Sequence, residues 1–271
     1  MTKKNSDNPF LNMTRLPFGK SISKEDVFCY SQFDELKRML SLAIDTRTMA
    51  AVVGESGAGK TTAIGIVTDE LPTNKNLVLY LGQDQDGANL CRRLATGLGL
   101  QPRRSRTQTW MQISQYLADN LIEQSKNIVL VIDEAHLLDS STLEDLRLLT
   151  NADFDRTSPV TIILVGQLPL RTRLKTPGFE ALNQRLRFRY ALEGFSEDET
   201  AAYIAHHLRS VNLPDDLFKA DAVRTVFLAS RGILREINNI CLLAILKAKD
   251  AELSSIDSKL VKHILDQREL N

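Results

Sequence analysis

Eight consecutive residues, Gly54-Glu55-Ser56-Gly57-Ala58-Gly59-Lys60-Thr61, restrict this chain to a narrow set of folds. They fit the phosphate-loop pattern G-x-x-x-x-G-K-[ST] at every fixed position. Glycines let the backbone wrap closely around a triphosphate with its N–H groups turned inward, and the positive end of the following helix faces the same anion. Both flanks of the loop are legible. Met49 to Val53 reads as a buried strand, and Thr62 to Leu71 as a helix. In that setting Lys60 reaches the β- and γ-phosphates of ATP, and the Thr61 hydroxyl takes a place on Mg²⁺. Thr62 completes the expected nucleotide contacts. The alternative is a glycine turn with no ligand, and the strand and helix on either side decide against it.

A second acidic motif follows about seventy residues on. Asn127 to Ile132 is an unbroken apolar, β-branched run, the mark of a central parallel strand covered on both faces. It ends in Asp133-Glu134-Ala135-His136. Two adjacent carboxylates at the end of a buried strand are costly unless something compensates them. Mg²⁺ compensates Asp133, and Glu134 is placed to polarise the attacking water as general base. The alternative for an acid here, an N-cap, suits Asp139 or Ser140 better. The tetrapeptide also occurs in helicases, but their other motifs are not visible.

Strands at Ala50–Val53, Leu77–Leu81, Ile128–Ile132, Thr161–Val165 and Phe188–Leu192 alternate with helical patterns over residues 61–192. That alternation predicts an α/β, doubly wound parallel sheet of the P-loop NTPase kind, with its ligand crevice beyond the strand C-termini. A helix over Gln32 to Ile44 precedes it. From Ser196 the pattern changes: Ser196-Glu197-Asp198-Glu199 is a capping box, and only helical periodicity follows. The expected division is a polar N-terminal arm (1–24), an α/β nucleotide-binding domain (25–195) and a small helical lid domain (196–271). The arm carries Lys3, Lys4, Arg15, Lys20 and Lys24, and is expected to dock through Phe10, Leu11, Leu16 and Phe18.

Hydrophobic content of 43% and charged content of 25% suit a globular protein, and the formal net charge is zero. Any nucleic-acid contact must therefore come from local patches. No apolar run reaches the roughly eighteen residues of a membrane span, and the N-terminus lacks a signal-peptide core. Cys29, Cys91 and Cys241 have no metal-ligand spacing. These features predict a cytoplasmic protein with reduced, mostly buried thiols and no membrane partner.

Phosphate loop, acidic strand end and helical lid together resemble the AAA+ ATPases. Three further positions carry the resemblance. Gln167, ending Val160-Thr161-Ile162-Ile163-Leu164-Val165-Gly166-Gln167, stands where that class carries sensor 1, which implies a role with the γ-phosphate or the water; Asn or Thr is more usual there. Asn183-Gln184-Arg185-Leu186-Arg187, following the next helix, holds Arg185 where the class places its arginine finger, with Arg187 and Arg189 as fallbacks. Gly232 to Asn238 looks like the sensor 2 box, which implies that Arg235 touches the γ-phosphate. Within the class the chain resembles the ExeA-like and TniB/TnsC/MuB-like branch. Asn8-Pro9-Phe10, the Gly54–Thr61 loop, Ile132 to Leu138 and Leu164 to Leu170 carry that likeness. ExeA-type members serve secretion with a membrane helix and a cell-wall-binding domain, features not found in this sequence. The transposition regulators form ATP-dependent rings or filaments on duplex DNA and recruit a transposase. The resemblance implies that role, homo-oligomeric and able to answer a target-selection protein.

Relatives of that kind contact the DNA backbone from loops after the second core strand. The matching stretch here is Arg92-Arg93 and then Arg103-Arg104-Ser105-Arg106-Thr107, a set suited to sequence-indifferent phosphate contacts. The alternative is a solvated loop before a helix capped by Thr107 or Thr109. Arg171, Arg173, Lys175, Arg185, Arg187 and Arg189 suit a subunit interface, and Trp110 suits the core. Two other roles remain open: a secretion or envelope-assembly ATPase, and a replication loader or initiator, which would call for a winged-helix domain that the residues after Leu192 leave too little room for beside the lid.

Overall fold

The structure, a computed structural model, describes residues 9–19, 27–82, 87–123, 126–151 and 158–269. It divides into two compact units: Ser31–Ser56 with Lys60–Leu192, and Met1–Tyr30 with Gly57–Gly59 and Glu193–Asn271.

The first of these units is a parallel five-stranded sheet in the order β2-β3-β4-β1-β5. Its strands are β1 (Met49–Gly54), β2 (Asn76–Leu81), β3 (Asn127–Ile132), β4 (Thr161–Gly166) and β5 (Leu186–Leu192). The helices are α1 (Ser31–Asp45), α2 (Lys60–Asp69), α3 (Gly87–Gly97), α4 (Arg106–Ile122), α5 (Ser140–Leu149), α6 (Leu168–Arg173) and α7 (Glu180–Arg185). Burial explains which runs take which place. All six residues of β1 and of β4 are buried, and so are five of six in β3. These continuous apolar runs suit strands with helices on both faces. β2 and β5 are mostly part-exposed, as edge strands are. Each wholly buried Leu, Ile or Val of the three central strands contributes about 1.5–3 kcal/mol of transfer free energy.

Register fixes the functional edge. Val53 pairs with Gly166, and Ile132 with Leu164. The loop after β1, the acidic pair after β3 and Gln167 after β4 therefore emerge on one edge, at the C-terminal ends of parallel strands. Leu186 pairs with Met49 at the other end of β1. Arg185 thus stands a strand's length from the phosphate loop, about 16 Å at roughly 3.3 Å per residue.

The second unit packs α8 (Glu197–Arg209), α9 (Ala220–Ser230), α10 (Leu234–Asp250) and α11 (Ser258–Glu269) around Tyr203, Ile237, Cys241 and Ile264. The capping box opens α8: Ser196 Oγ accepts from Glu199 N–H, and the Glu199 carboxylate from Ser196 N–H. Of the N-terminal docking residues, Phe10 and Phe18 are buried in this core, each 5% exposed. Leu16 instead lies half exposed and anchors nothing, and the Leu11 side chain lies outside the described residues, as do Lys3, Lys4, Asn8, Lys20 and Lys24. Cys91 and Cys241 are buried and Cys29 is exposed. Burial pushes the Cys91 thiol up to about 11.

Candidate nucleotide site

The loop between β1 and α2 turns on Gly57 and Gly59, whose φ angles of 85° and 89° are reached without strain only by glycine. Lys60, the first residue of α2, is only 7% exposed. Its ammonium folds back onto the loop, donating to the Gly54 carbonyl at 3.0 Å and the Glu55 carbonyl at 2.8 Å. A buried cation held by carbonyl dipoles beside a glycine-rich loop at a helix N-terminus is a phosphate-binding arrangement. Glu55 and Ser56 are exposed along the loop, Ala58 is buried, and Thr62 is exposed on the first turn of α2. In the helical unit, Arg235 N–H donates to the Gly57 carbonyl at 3.1 Å.

The two motifs meet through one hydrogen bond. Thr61 Oγ1 donates to Asp133 Oδ2 at 2.8 Å across 72 residues of sequence. The other carboxylate oxygen, Oδ1, accepts from the Glu134 N–H at 2.8 Å. A hydroxyl and a carboxylate so close are hard oxygen donors that fit Mg²⁺, which keeps most of its shell as water and substrate phosphate. Among the described residues no cluster of three or more His, Cys, Asp or Glu could hold a metal alone. The donor set fits a divalent cation accompanying a nucleotide, which Thr61 and Asp133 would hold.

Glu134 takes left-handed backbone (φ 52°, ψ 33°), an uncommon conformation for a non-glycine residue and one that concentrates at functional sites. It caps the 3-10 turn Ala135–Leu137, where His136 Nδ1 lies 3.4 Å from Glu134 Oε2. Gln167 N–H points to the same nitrogen at 3.4 Å. Glu134, His136 and Gln167 therefore form one constellation. As the sequence indicated, Asp139 and not Asp133 serves as N-cap, its side chain accepting from Thr142 N–H.

Tyr80 escaped the sequence reading. Its phenol donates to Asp133 Oδ2 beside Thr61. Burial, then the bond to Asp133, push its ionisation well above the usual phenol range, so it remains a donor. The available signal was a hydroxyl-bearing residue interrupting an apolar strand one position from its end, in register with Val131.

Arg185 lies inside α7 rather than after it, and β5 starts at Leu186, two residues before the expected Phe188. The basic cluster separates by environment. Arg185 and Arg187 line a cleft of about 360 Å³ with Asp45 and Arg47. Arg171, Lys175 and Arg189 line another of about 250 Å³ over Ala51 and Val53. Arg173 instead ties down the turn after β3, donating to the Leu138 carbonyl and the Ser140 hydroxyl.

The arginine-rich loop also divides. Ser105, not Thr107 or Thr109, caps α4, accepting from Gln108 N–H at 3.2 Å. Arg103, Arg104 and Thr107 are exposed. Arg106 is engaged internally: its guanidinium donates to Asp145 at 2.7 Å and to Thr142 at 3.0 Å, joining α4 to α5. Of the arginines expected to meet DNA phosphates, Arg106 is thus held by a partly buried carboxylate in this structure. Arg106→Ala is expected to cost about 1–2 kcal/mol of stability, seen as a lowered thermal midpoint, since one charged partner is left behind. Trp110 is 8% exposed and packs in the core as expected.

Residues 43–174 match the family described as AAA domain. The chain is 28% identical over 242 residues to general secretion pathway protein A of Aeromonas hydrophila. That alignment takes 88% of this chain and 44% of the relative, so the chain spans less than half the relative's length. Among solved structures, Cdc6p of Pyrobaculum aerophilum superposes with a TM-score of 0.66 at 15% identity, covering 88% of this chain and 67% of that one. ORC1 of Aeropyrum pernix in complex with DNA gives 0.64 at 13% identity, covering 90% and 66%. The RuvB Holliday junction branch migration motor of Thermotoga maritima gives 0.55 at 19%, covering 86% and 68%. At these identities the structural likeness establishes the fold alone: a P-loop α/β fold of the AAA+ kind. No helix among the described residues is long and apolar enough to cross a membrane.

Proposed function

From the premise of an AAA+ fold with an AAA domain at residues 43–174, we propose that this chain is an ATPase whose hydrolysis cycle controls assembly on duplex DNA. The observation that carries the ATPase reading is the junction of the two motifs, Thr61 on Asp133, with Glu134 next in the chain. Gly54 to Thr62 cradle the phosphates, Lys60 neutralises the β- and γ-oxygens, and Thr61 and Asp133 hold Mg²⁺, which offsets the charge that develops on the phosphates. Glu134 accepts a proton from water as its oxygen attacks the γ-phosphorus. The bond from that phosphorus to the β–γ bridging oxygen breaks, and ADP leaves with the bridging electrons. Gln167 orients the water or the γ-phosphate. Arg235 contacts the γ-phosphate, and Arg185 acts on the nucleotide of a neighbouring copy.

The proposed partners are duplex DNA, bound through its backbone, and a transposase recruited at the target site. Exposure of Arg103, Arg104 and Thr107 supports the DNA reading. Phosphate contacts release counterions, and many loops aligned in one assembly turn weak contacts into avid binding. The Arg103→Ala/Arg104→Ala double variant is expected to weaken duplex binding and to flatten the salt dependence by about 0.9 for each phosphate no longer neutralised. Arg106→Ala should leave that slope unchanged. A titration with ATP, ADP and no nucleotide at several salt concentrations reads both. Absence of ATP-dependent binding in the wild type under all these conditions defeats the DNA reading. The similarity to general secretion pathway protein A then favours the second reading, an ATPase serving secretion or envelope assembly.

A further inference from the structure

We propose that His136 is a positioning residue that holds either Glu134 or the Gln167 backbone, never both, so that freedom of the base is coupled to the end of β4. The proposal rests on the hydrolytic role assigned to Glu134 above.

His136 follows the acidic pair on the 3-10 turn, with its side chain 11% exposed. Its Nδ1 lies 3.4 Å from Glu134 Oε2 and 3.4 Å from the Gln167 backbone nitrogen. These contacts demand opposite states of one atom. A carboxylate offers only lone pairs, so Nδ1 serves Glu134 by carrying a hydrogen. An amide N–H offers only a hydrogen, so Nδ1 serves Gln167 by carrying a lone pair. One ring nitrogen has one of these at a time.

The surroundings keep the ring at this branch point. Arg173 of α6 donates to the His136 carbonyl at 3.5 Å and to the Leu138 carbonyl, clamping the turn. β4 closes in on the turn as well: a Cβ on Gly166 would sit 3.3 Å from the His136 backbone nitrogen. The charged groups facing the turn are Asp133 and Glu134 on its own segment and Arg173 from α6, while β4 is uncharged from Thr161 to Gly166. With hydrogen on Nδ1, the ring occupies one lone pair of Glu134 Oε2 and ties that carboxylate to the turn. With a lone pair on Nδ1, the ring releases Glu134 and fixes the Gln167 amide at the end of β4.

Nitrogen-15 NMR of the full chain labelled at its four histidines reads the state of Nδ1 directly, with His136 assigned by its loss in His136→Asn. Glu134→Asn tolerates left-handed backbone, removes the negative charge and draws the side-chain oxygen back by one methylene from Nδ1. It is expected to shift His136 toward the form with hydrogen on Nε2 and a lone pair on Nδ1. An unchanged distribution between wild type and Glu134→Asn overturns the proposal. This readout needs no hydrolysis, so it stands or falls apart from the ATPase reading. In turnover, His136→Ala should lower kcat about tenfold, a part of the roughly 10²–10⁴-fold that a positioned base supplies, with ATP affinity unchanged. His136→Asn, which presents a donor or an acceptor at the same place, should restore most of it. Equal impairment in Ala and Asn variants, or loss of ATP affinity in step with kcat, contradicts a positioning role.

Discussion

Lys60→Ala removes detectable ATP binding, whereas Glu134→Gln binds ATP and hydrolyses it roughly 10²–10⁴-fold more slowly than the wild type. The separation follows from where the two side chains stand. The Lys60 ammonium is buried against the Gly54 and Glu55 carbonyls inside the loop, so its charge is available to the phosphates and its loss is felt before any chemistry. Glu134 lies beyond the strand end, with its backbone N–H on Asp133 Oδ1, and its substitution by an amide keeps that backbone contact while abolishing the base. Fluorescent-nucleotide binding and steady-state phosphate release distinguish the two. Unchanged turnover in Glu134→Gln would remove Glu134 from the mechanism.

Arg185→Ala is expected to lower hydrolysis about 10³-fold or more, the scale of an arginine supplied to a phosphoryl-transfer site, while ATP binding persists. Register makes the sharper claim. Leu186 pairs with Met49, at the end of β1 remote from the phosphate loop, so Arg185 lies at the opposite edge of the sheet from Lys60 of its own chain. Any action of Arg185 on a nucleotide is therefore expected in trans. Mixing Arg185→Ala with Lys60→Ala tests this, because each retains the half-site that the other lacks. Random assembly at equal mixing places an intact loop against an intact arginine at roughly one interface in four, so partial hydrolysis returns. No recovery at any ratio, with both variants folded and assembling, counts against a shared site.

The sequence was most readable where local chemistry and tertiary demand agree. Gly54 to Thr61, the apolar run into Asp133 and the Ser196–Glu199 capping box each act within a few residues of themselves, and all five expected strands lie in the parallel sheet. Reading failed where a distant partner decided the outcome. Nothing local to Arg106 announces its bond to Asp145, 39 residues away, which forms only when α4 packs on α5. Ser105 took the cap of α4 from Thr107 and Thr109, because Thr109 is a buried residue whose hydroxyl donates back to the Ser105 carbonyl. Tyr80 acquired its role only when β2 paired with β3, setting its phenol beside Asp133 across 53 residues. Leu16 shows the converse: an apolar residue among docking residues that finds no place in the core and stays exposed.

Central to the proposed cycle is that ATP closes contacts between copies of this chain and thereby arrays their Arg103 and Arg104 along duplex DNA. Electron microscopy of Glu134→Gln, which holds ATP without consuming it, tests this most directly when duplex DNA is present with ATP and then with ADP. Ordered rings or filaments on DNA with ATP, absent with ADP, are the predicted result; dispersed single particles in both, at protein concentrations where ATP is bound, would contradict it.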